Sequence, residues 1–185
     1  LCSHTNRFVL SHLTALGVRA RGVQAVAKGD WNQFADGHSL VEIFDPESDS
    51  WVLFDPALGT RLRHAGRYLS LLEATQLYRA DKHTAEIDFV SRHSKLDPLF
   101  NYQQWVGRYI ADGETASRTV EHVKAFCRND VDAIQREYDH FIEVPIIGGC
   151  FVVESDAEED LFRTLWPDDK RLTVDEFQER FYSTK

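Results

Sequence analysis

Methionine is absent from this 185-residue chain, and cysteine (3 residues), proline (5) and glycine (10) are sparse. With no Met and a Leu1-Cys2 start, the sequence reads as a processed chain or a fragment. Three cysteines are too few for a disulfide scaffold and odd in number, so at least one thiol is free. No apolar run approaches the ~20 residues of a membrane span; residues 1–185 show no repeat, low-complexity tract or signal peptide, and a missing N-terminus would hide a leader. Basic residues are the minority: 21 Lys and Arg against 30 Asp and Glu give a net charge of −9. That balance excludes nucleic acid and anionic lipid surfaces as main partners. The acidity is concentrated beyond residue 85, as a solvated helical surface would be. The chain reads as soluble, with the cytoplasm favoured, and carries no signal for an oligomeric state.

What is present is apolar mass: 43% hydrophobic residues, with 12 Phe, enough for a buried core. Val9, Leu13 and Leu16 recur at helical spacing before Gly17, which predicts a helix over residues 3–16 starting beside Cys2. Residues 18–27 have strand composition, residues 28–37 form a loop carrying Trp31 and Phe34, and residues 39–44 and 51–55 read as strands around the turn 45–50. From Ser70 the character changes. Ser70-Leu71-Leu72-Glu73 and Thr173-Val174-Asp175-Glu176 have the form of capping boxes. Residues 100–110, 115–141 and 157–166 read as helices, and Phe151–Val153 as a short strand. Phe162, Leu165 and Trp166 should face inward, with Glu158 and Asp160 in solvent. The division is therefore a core over 1–65 and a mainly helical C-terminal extension over 66–185.

Three residues carry chemistry. A thiol at a helix N-terminus meets the positive end of the helix dipole and unpaired N–H groups, which favour the nucleophilic thiolate. Cys2 holds that place. In a strand over 39–44, His38, Leu40, Glu42 and Phe44 share a face; in 51–55, Trp51, Leu53 and Asp55 do. If the loop 45–50 closes an antiparallel hairpin, Phe44 pairs with Trp51, Glu42 with Leu53 and Leu40 with Asp55. His38 and Asp55 are then diagonal neighbours roughly 7–8 Å apart at Cα, within reach of an imidazole–carboxylate hydrogen bond. A one-residue slip would separate them, and the plainer alternative is a strand-end His with an Asp that opens the Asp55-Pro56 turn. Together, Cys2, His38 and Asp55 follow the logic of a nucleophile, its base and the acid that orients the base.

The sequence also resembles the transglutaminase-like superfamily. The matching features are Cys2 at a helix start, Leu16-Gly17-Val18-Arg19-Ala20-Arg21 entering a strand, Gly37-His38-Ser39-Leu40-Val41-Glu42, and Trp51-Val52-Leu53-Phe54-Asp55-Pro56. They span residues 1–58, about a third of the chain. The resemblance implies an α+β fold with a papain-like core and thiol-dependent acyl transfer on peptide or protein amides through a thioester, as peptidase, amidase or transamidase. It assigns Cys2 as nucleophile, His38 as base and Asp55 as orienting acid. Family members carry chain before the Cys, where a side chain lines the oxyanion hole. Losing one such donor lowers kcat on the order of 10²–10³-fold, so weak activity is expected of the chain as it stands. The alternative is a non-catalytic interaction module that retains the fold.

Other constellations are weaker. None of the His pairs His4/His12 and His83/His93 has the i, i+4 spacing of a helical zinc site, and no acidic loop suits calcium; no metal or cofactor is expected. Cys127, Cys150 and Trp51 read as packing residues, and Gly148-Gly149 as a turn before a strand. Trp31 and Phe34 either wall an acyl-binding cleft as substrate-binding residues or belong to the core.

Overall fold

A computed structural model describes residues 2–27, 37–81, 85–90 and 131–183. The elements in chain order are α1 (Cys2–Ala15), β1 (Ala20–Val26), β2 (Gly37–Asp45), β3 (Ser50–Asp55), β4 (Thr60–His64), β5 (Arg67–Tyr68), α2 (Leu71–Ala80), β6 (Glu86–Phe89), α3 (Val131–Phe141), β7 (Val144–Ile147), β8 (Cys150–Phe151), α4 (Asp156–Leu165), β9 (Lys170–Arg171) and α5 (Val174–Tyr182). The fold is mixed α+β. Among the described residues, nine strands form one sheet in the order β5-β4-β3-β2-β1-β7-β8-β9, with β6 also on β4. All pairings are antiparallel except β8 with β9. No described helix is long and apolar enough to cross a membrane.

Local signals set most boundaries. At the end of α1, Gly17 takes a left-handed φ of 71°. The Gly17 and Val18 amides then bond back to the Thr14 and Leu13 carbonyls at 3.0 and 2.9 Å, and the chain turns into β1. Both expected capping boxes form: Ser70 with Glu73 opens α2, and Thr173 with Glu176 opens α5. The β2–β3 register pairs Phe44 with Trp51 and Glu42 with Leu53. Asp45 holds this turn by accepting from the Glu47 amide at 3.1 Å and the Ser48 hydroxyl at 2.6 Å.

The C-terminal segment differs from the mainly helical extension read in the sequence. It supplies β6 to β9 to the same sheet, and β7 pairs directly with β1. Val144-Pro145-Ile146-Ile147 is buried at every position. It shows no alternation because both of its faces are covered, so it has no period by which to announce itself. Without β7, β1 would be a bare edge in the middle of the molecule. Only residues 131–141 of the helix expected over 115–141 are described; the rest, and the helix expected over 100–110, lie outside the described residues.

The sheet buries both faces. On one, Val23, Ala25, Leu40 and Leu53 meet Leu71, Leu72, Ile134, Tyr138, Phe141 and Phe177 from α2, α3 and α5. On the other, Val26, Val144, Ile146 and Phe151 meet Phe162, with Trp166 half-buried beside it. Phe162 stacks between Phe151 and Trp166, at ring-centroid distances of 3.9 and 4.6 Å. Thus Phe162 and Trp166 do pack inward, Asp160 is exposed and Glu158 is partly covered; the Leu165 side chain lies outside the described residues. Helix α1 packs across β1 and β2 on this second face, with the Leu10 methyl 3.7 Å from where a Cβ on Gly22 would stand.

Candidate active site

Residues at the ends of β2 and β3 form a buried polar cluster in the first face. Continuing the β2–β3 register places Asp55 opposite Leu40, one residue pair from His38. The imidazole spans that diagonal: Nε2 of His38 lies 2.8 Å from Oδ2 of Asp55. The two side chains are 2% and 1% exposed. Parity and loop length, read from the sequence, therefore bring these two residues together as expected.

Asp55 is held from every side. It ends β3, and Pro56 cannot extend the ladder. The chain folds back through Gly59, whose amide donates to the Asp55 carbonyl at 2.8 Å and whose φ of 67° suits glycine. The Ala57 and Leu58 amides donate to Asp55 Oδ1 at 2.9 and 3.1 Å. On Oδ2, the Tyr138 hydroxyl of α3 donates at 3.2 Å, and the same hydroxyl lies 2.6 Å from Thr60 Oγ1. Burial raises the Asp55 pKa. The His38 charge, the His38 hydrogen bond and the two amides outweigh it and hold the carboxyl below its ordinary range. Burial, with Asp55 beside it, drives the Tyr138 hydroxyl well above its ordinary value, so it stays protonated.

The His38 ring packs against Phe141, with centroids 4.7 Å apart and planes tilted by 47°. Asp55 engages Nε2, so Nδ1 is the ring nitrogen turned away from this pair. Tyr138 and Phe141 are one helical turn apart on α3 and so contact Asp55 and His38 together. The sequence marks neither: both read as members of an amphipathic helix face, and only the tertiary docking of α3 shows which of its rings carries a used hydroxyl.

Cys2 is the first residue of α1, and the first turn of that helix holds no acidic residue to neutralise its positive end. The Cys2 side chain lies outside the described residues, as do Trp31, Phe34 and Cys127. Because α1 leads through a tight turn into β1, it runs back along the sheet toward the end where β2 begins. Ser3 and Ser39, the neighbours of Cys2 and His38, line one cleft there. Cys150 is free and buried, 3% exposed in β8.

A second buried carboxylate on the same face of β2 was named in the sequence motif without a role. Glu42 Oε2 pairs with Arg21 of β1 at 2.6 Å. Its Oε1 accepts from the Leu71 amide at the start of α2 at 2.7 Å and from the Tyr182 hydroxyl of α5 at 2.8 Å. The Arg21 guanidinium lies over the Trp51 and Tyr182 rings. Glu42 therefore ties two helices to the strand that presents His38.

Among the described residues, no group of three or more His, Cys, Asp or Glu is placed to hold a metal ion. Compared with known proteins, the chain matches no family model, no curated protein and no solved structure.

Proposed function

We propose that this chain is a transglutaminase-like, papain-like cysteine enzyme that transfers the acyl group of a peptide or protein amide through a thioester. The observation that carries this reading is the buried 2.8 Å pair between His38 Nε2 and Asp55 Oδ2, at the end of the sheet toward which the N-terminus of α1 runs. In this reading His38 Nδ1 takes the Cys2 thiol proton, and Sγ attacks the amide carbonyl. The tetrahedral intermediate collapses as His38 returns the proton to the leaving amine. Water then releases an acid, or an amine releases a new amide, and the thiol is restored. Asp55 keeps the imidazole in one tautomer and balances its positive charge, while Tyr138 and the turn amides keep Asp55 ionised.

A second reading, a non-catalytic module with this fold, is favoured by the near-complete burial of both side chains. One experiment separates the two. With p-nitrophenyl acetate as acyl donor, the enzyme gives a stoichiometric burst of p-nitrophenolate and an acetyl adduct on the Cys2 peptide, and His38→Ala abolishes the burst. A module gives no burst, or one that His38→Ala leaves unchanged.

A further inference from the structure

The β3–β4 register sets Thr60 directly opposite Asp55, and the Tyr138 hydroxyl of α3 reaches both. All three residues are buried, Thr60 completely, so their hydroxyl protons have to be satisfied within the cluster. Tyr138 and Thr60 bring one proton each. The Tyr138 oxygen stands 2.6 Å from Thr60 Oγ1 and 3.2 Å from Asp55 Oδ2. Were Tyr138 to give its proton to Thr60, the Thr60 proton would have no acceptor among the described residues, and the phenolic oxygen would face the carboxylate oxygen bare. The polarity that satisfies all three groups runs one way: Thr60 donates to Tyr138, and Tyr138 donates to Asp55. Asp55 Oδ2 then accepts two protons, this one and that of His38 Nε2 at 2.8 Å.

We infer that Thr60 is a positioning residue for His38, acting through Tyr138 to set how strongly Asp55 holds the imidazole. The cause is competition at one oxygen. A carboxylate oxygen shared between two donors offers each of them less charge than it would offer one, so the Tyr138 proton loosens the His38–Asp55 bond. A hydroxyl that itself accepts a hydrogen bond is polarised and becomes a stronger donor. Thr60 therefore sharpens that competition, although no hydrogen bond joins it to the imidazole. The effect passes from β4 through α3 to β3 and ends on the β2 imidazole. This balance matters in both directions. A tighter hold by Asp55 makes the imidazole a better proton acceptor and a poorer proton donor, and acyl transfer needs it to take a proton and to give it back. Calling Thr60 a positioning residue rests on the acyl-transfer reading, whereas the direction of the hydrogen bonds does not.

The test reads the His38 Nε2–H proton by NMR in the full chain carrying Cys2→Ser, which removes thiol ionisation, at about pH 8, above the ordinary imidazole range. That resonance is identified by its loss in His38→Ala and moves downfield as the bond to Asp55 tightens. The ring nitrogen shifts report the same bond if the proton exchanges too quickly to be seen. Thr60→Val, of similar shape, should move the resonance downfield, and Tyr138→Phe should move it further. Thr60→Ser, which keeps the hydroxyl, should leave it at the parent position. Because Thr60 acts only through Tyr138, Thr60→Val should add nothing once Tyr138→Phe is present. An unmoved or upfield resonance in Thr60→Val, a Thr60→Ser resonance that moves with it, or the same Thr60→Val shift with and without the Tyr138 hydroxyl would overturn the relay. The Val and Ser variants decide this even if Tyr138→Phe does not fold, and Thr60→Ala makes the same comparison if Thr60→Val does not. The expected shifts, together with no p-nitrophenolate burst from the Cys2-containing chain, would leave the relay standing and count against acyl transfer alone.

Discussion

Asp55 Oδ2 accepts from His38 and Tyr138 together, while Oδ1 accepts from the Ala57 and Leu58 amides. Its pKa is lowered, so it contributes stability that is fully present above the unfolded value of about 3.9 and is lost as pH falls through the folded value. Asp55→Asn should therefore be markedly less stable than the parent near neutral pH, by about 3–5 kcal/mol for a broken buried pair. The gap should narrow as pH falls below about 4. Urea midpoints collected from pH 2 to 7 check this, and a gap constant over that range would contradict it. Tyr138→Phe removes one hydroxyl and leaves Thr60 Oγ1 without that partner. A loss of about 1–2 kcal/mol is expected from the same midpoints, and no loss would remove Tyr138 from the account. At this scale the sequence is legible where chemistry meets parity. His38 and Asp55 are found because a period of two and a six-residue loop leave one register that buries Leu40 and Leu53. Tyr138 and Thr60 are not, because they meet each other and Asp55 from elements remote in sequence.

The elements repeat that contrast. The α1 start, the β2–β3 hairpin and the capping boxes at Ser70 and Thr173 follow from local rules whose residues lie within a few positions of one another. Strand β7 does not, since its need arises only when β1 lacks a neighbour. The Glu42 hub is intermediate: the carboxylate sits on the His38 face by parity, yet its partners Arg21, Leu71 and Tyr182 come from three other elements. Glu42→Gln should leave the Arg21 guanidinium, held against Trp51 and Tyr182, without its counter-charge. It should lower stability by about 3–5 kcal/mol in thermal or urea unfolding; a change under about 1 kcal/mol would show that α2 and α5 are held without it.

For the whole molecule, acyl transfer requires the start of α1 and the end of the sheet to meet at a reactive thiol. The sheet carries the His38–Asp55 pair on the face covered by α2, α3 and α5, while α1 lies on the opposite face and brings its N-terminus to the same end of the strands. A free thiol titrates near pH 8.5, and a helix N-terminus with a paired imidazole lowers that into the range of roughly 3.5–7.5. Cys150 is a useful internal reference, being buried and free. The most direct measurement is the rate of iodoacetamide labelling at about pH 6.5, mapped peptide by peptide, in the parent, His38→Ala and Asp55→Ala proteins. The account predicts that Cys2 labels well ahead of Cys127 and Cys150, that His38→Ala slows it, and that Asp55→Ala slows it less because the base remains. Equal Cys2 labelling rates in the parent and His38→Ala proteins would mean that no thiolate–imidazolium pair exists, and would contradict the enzyme reading.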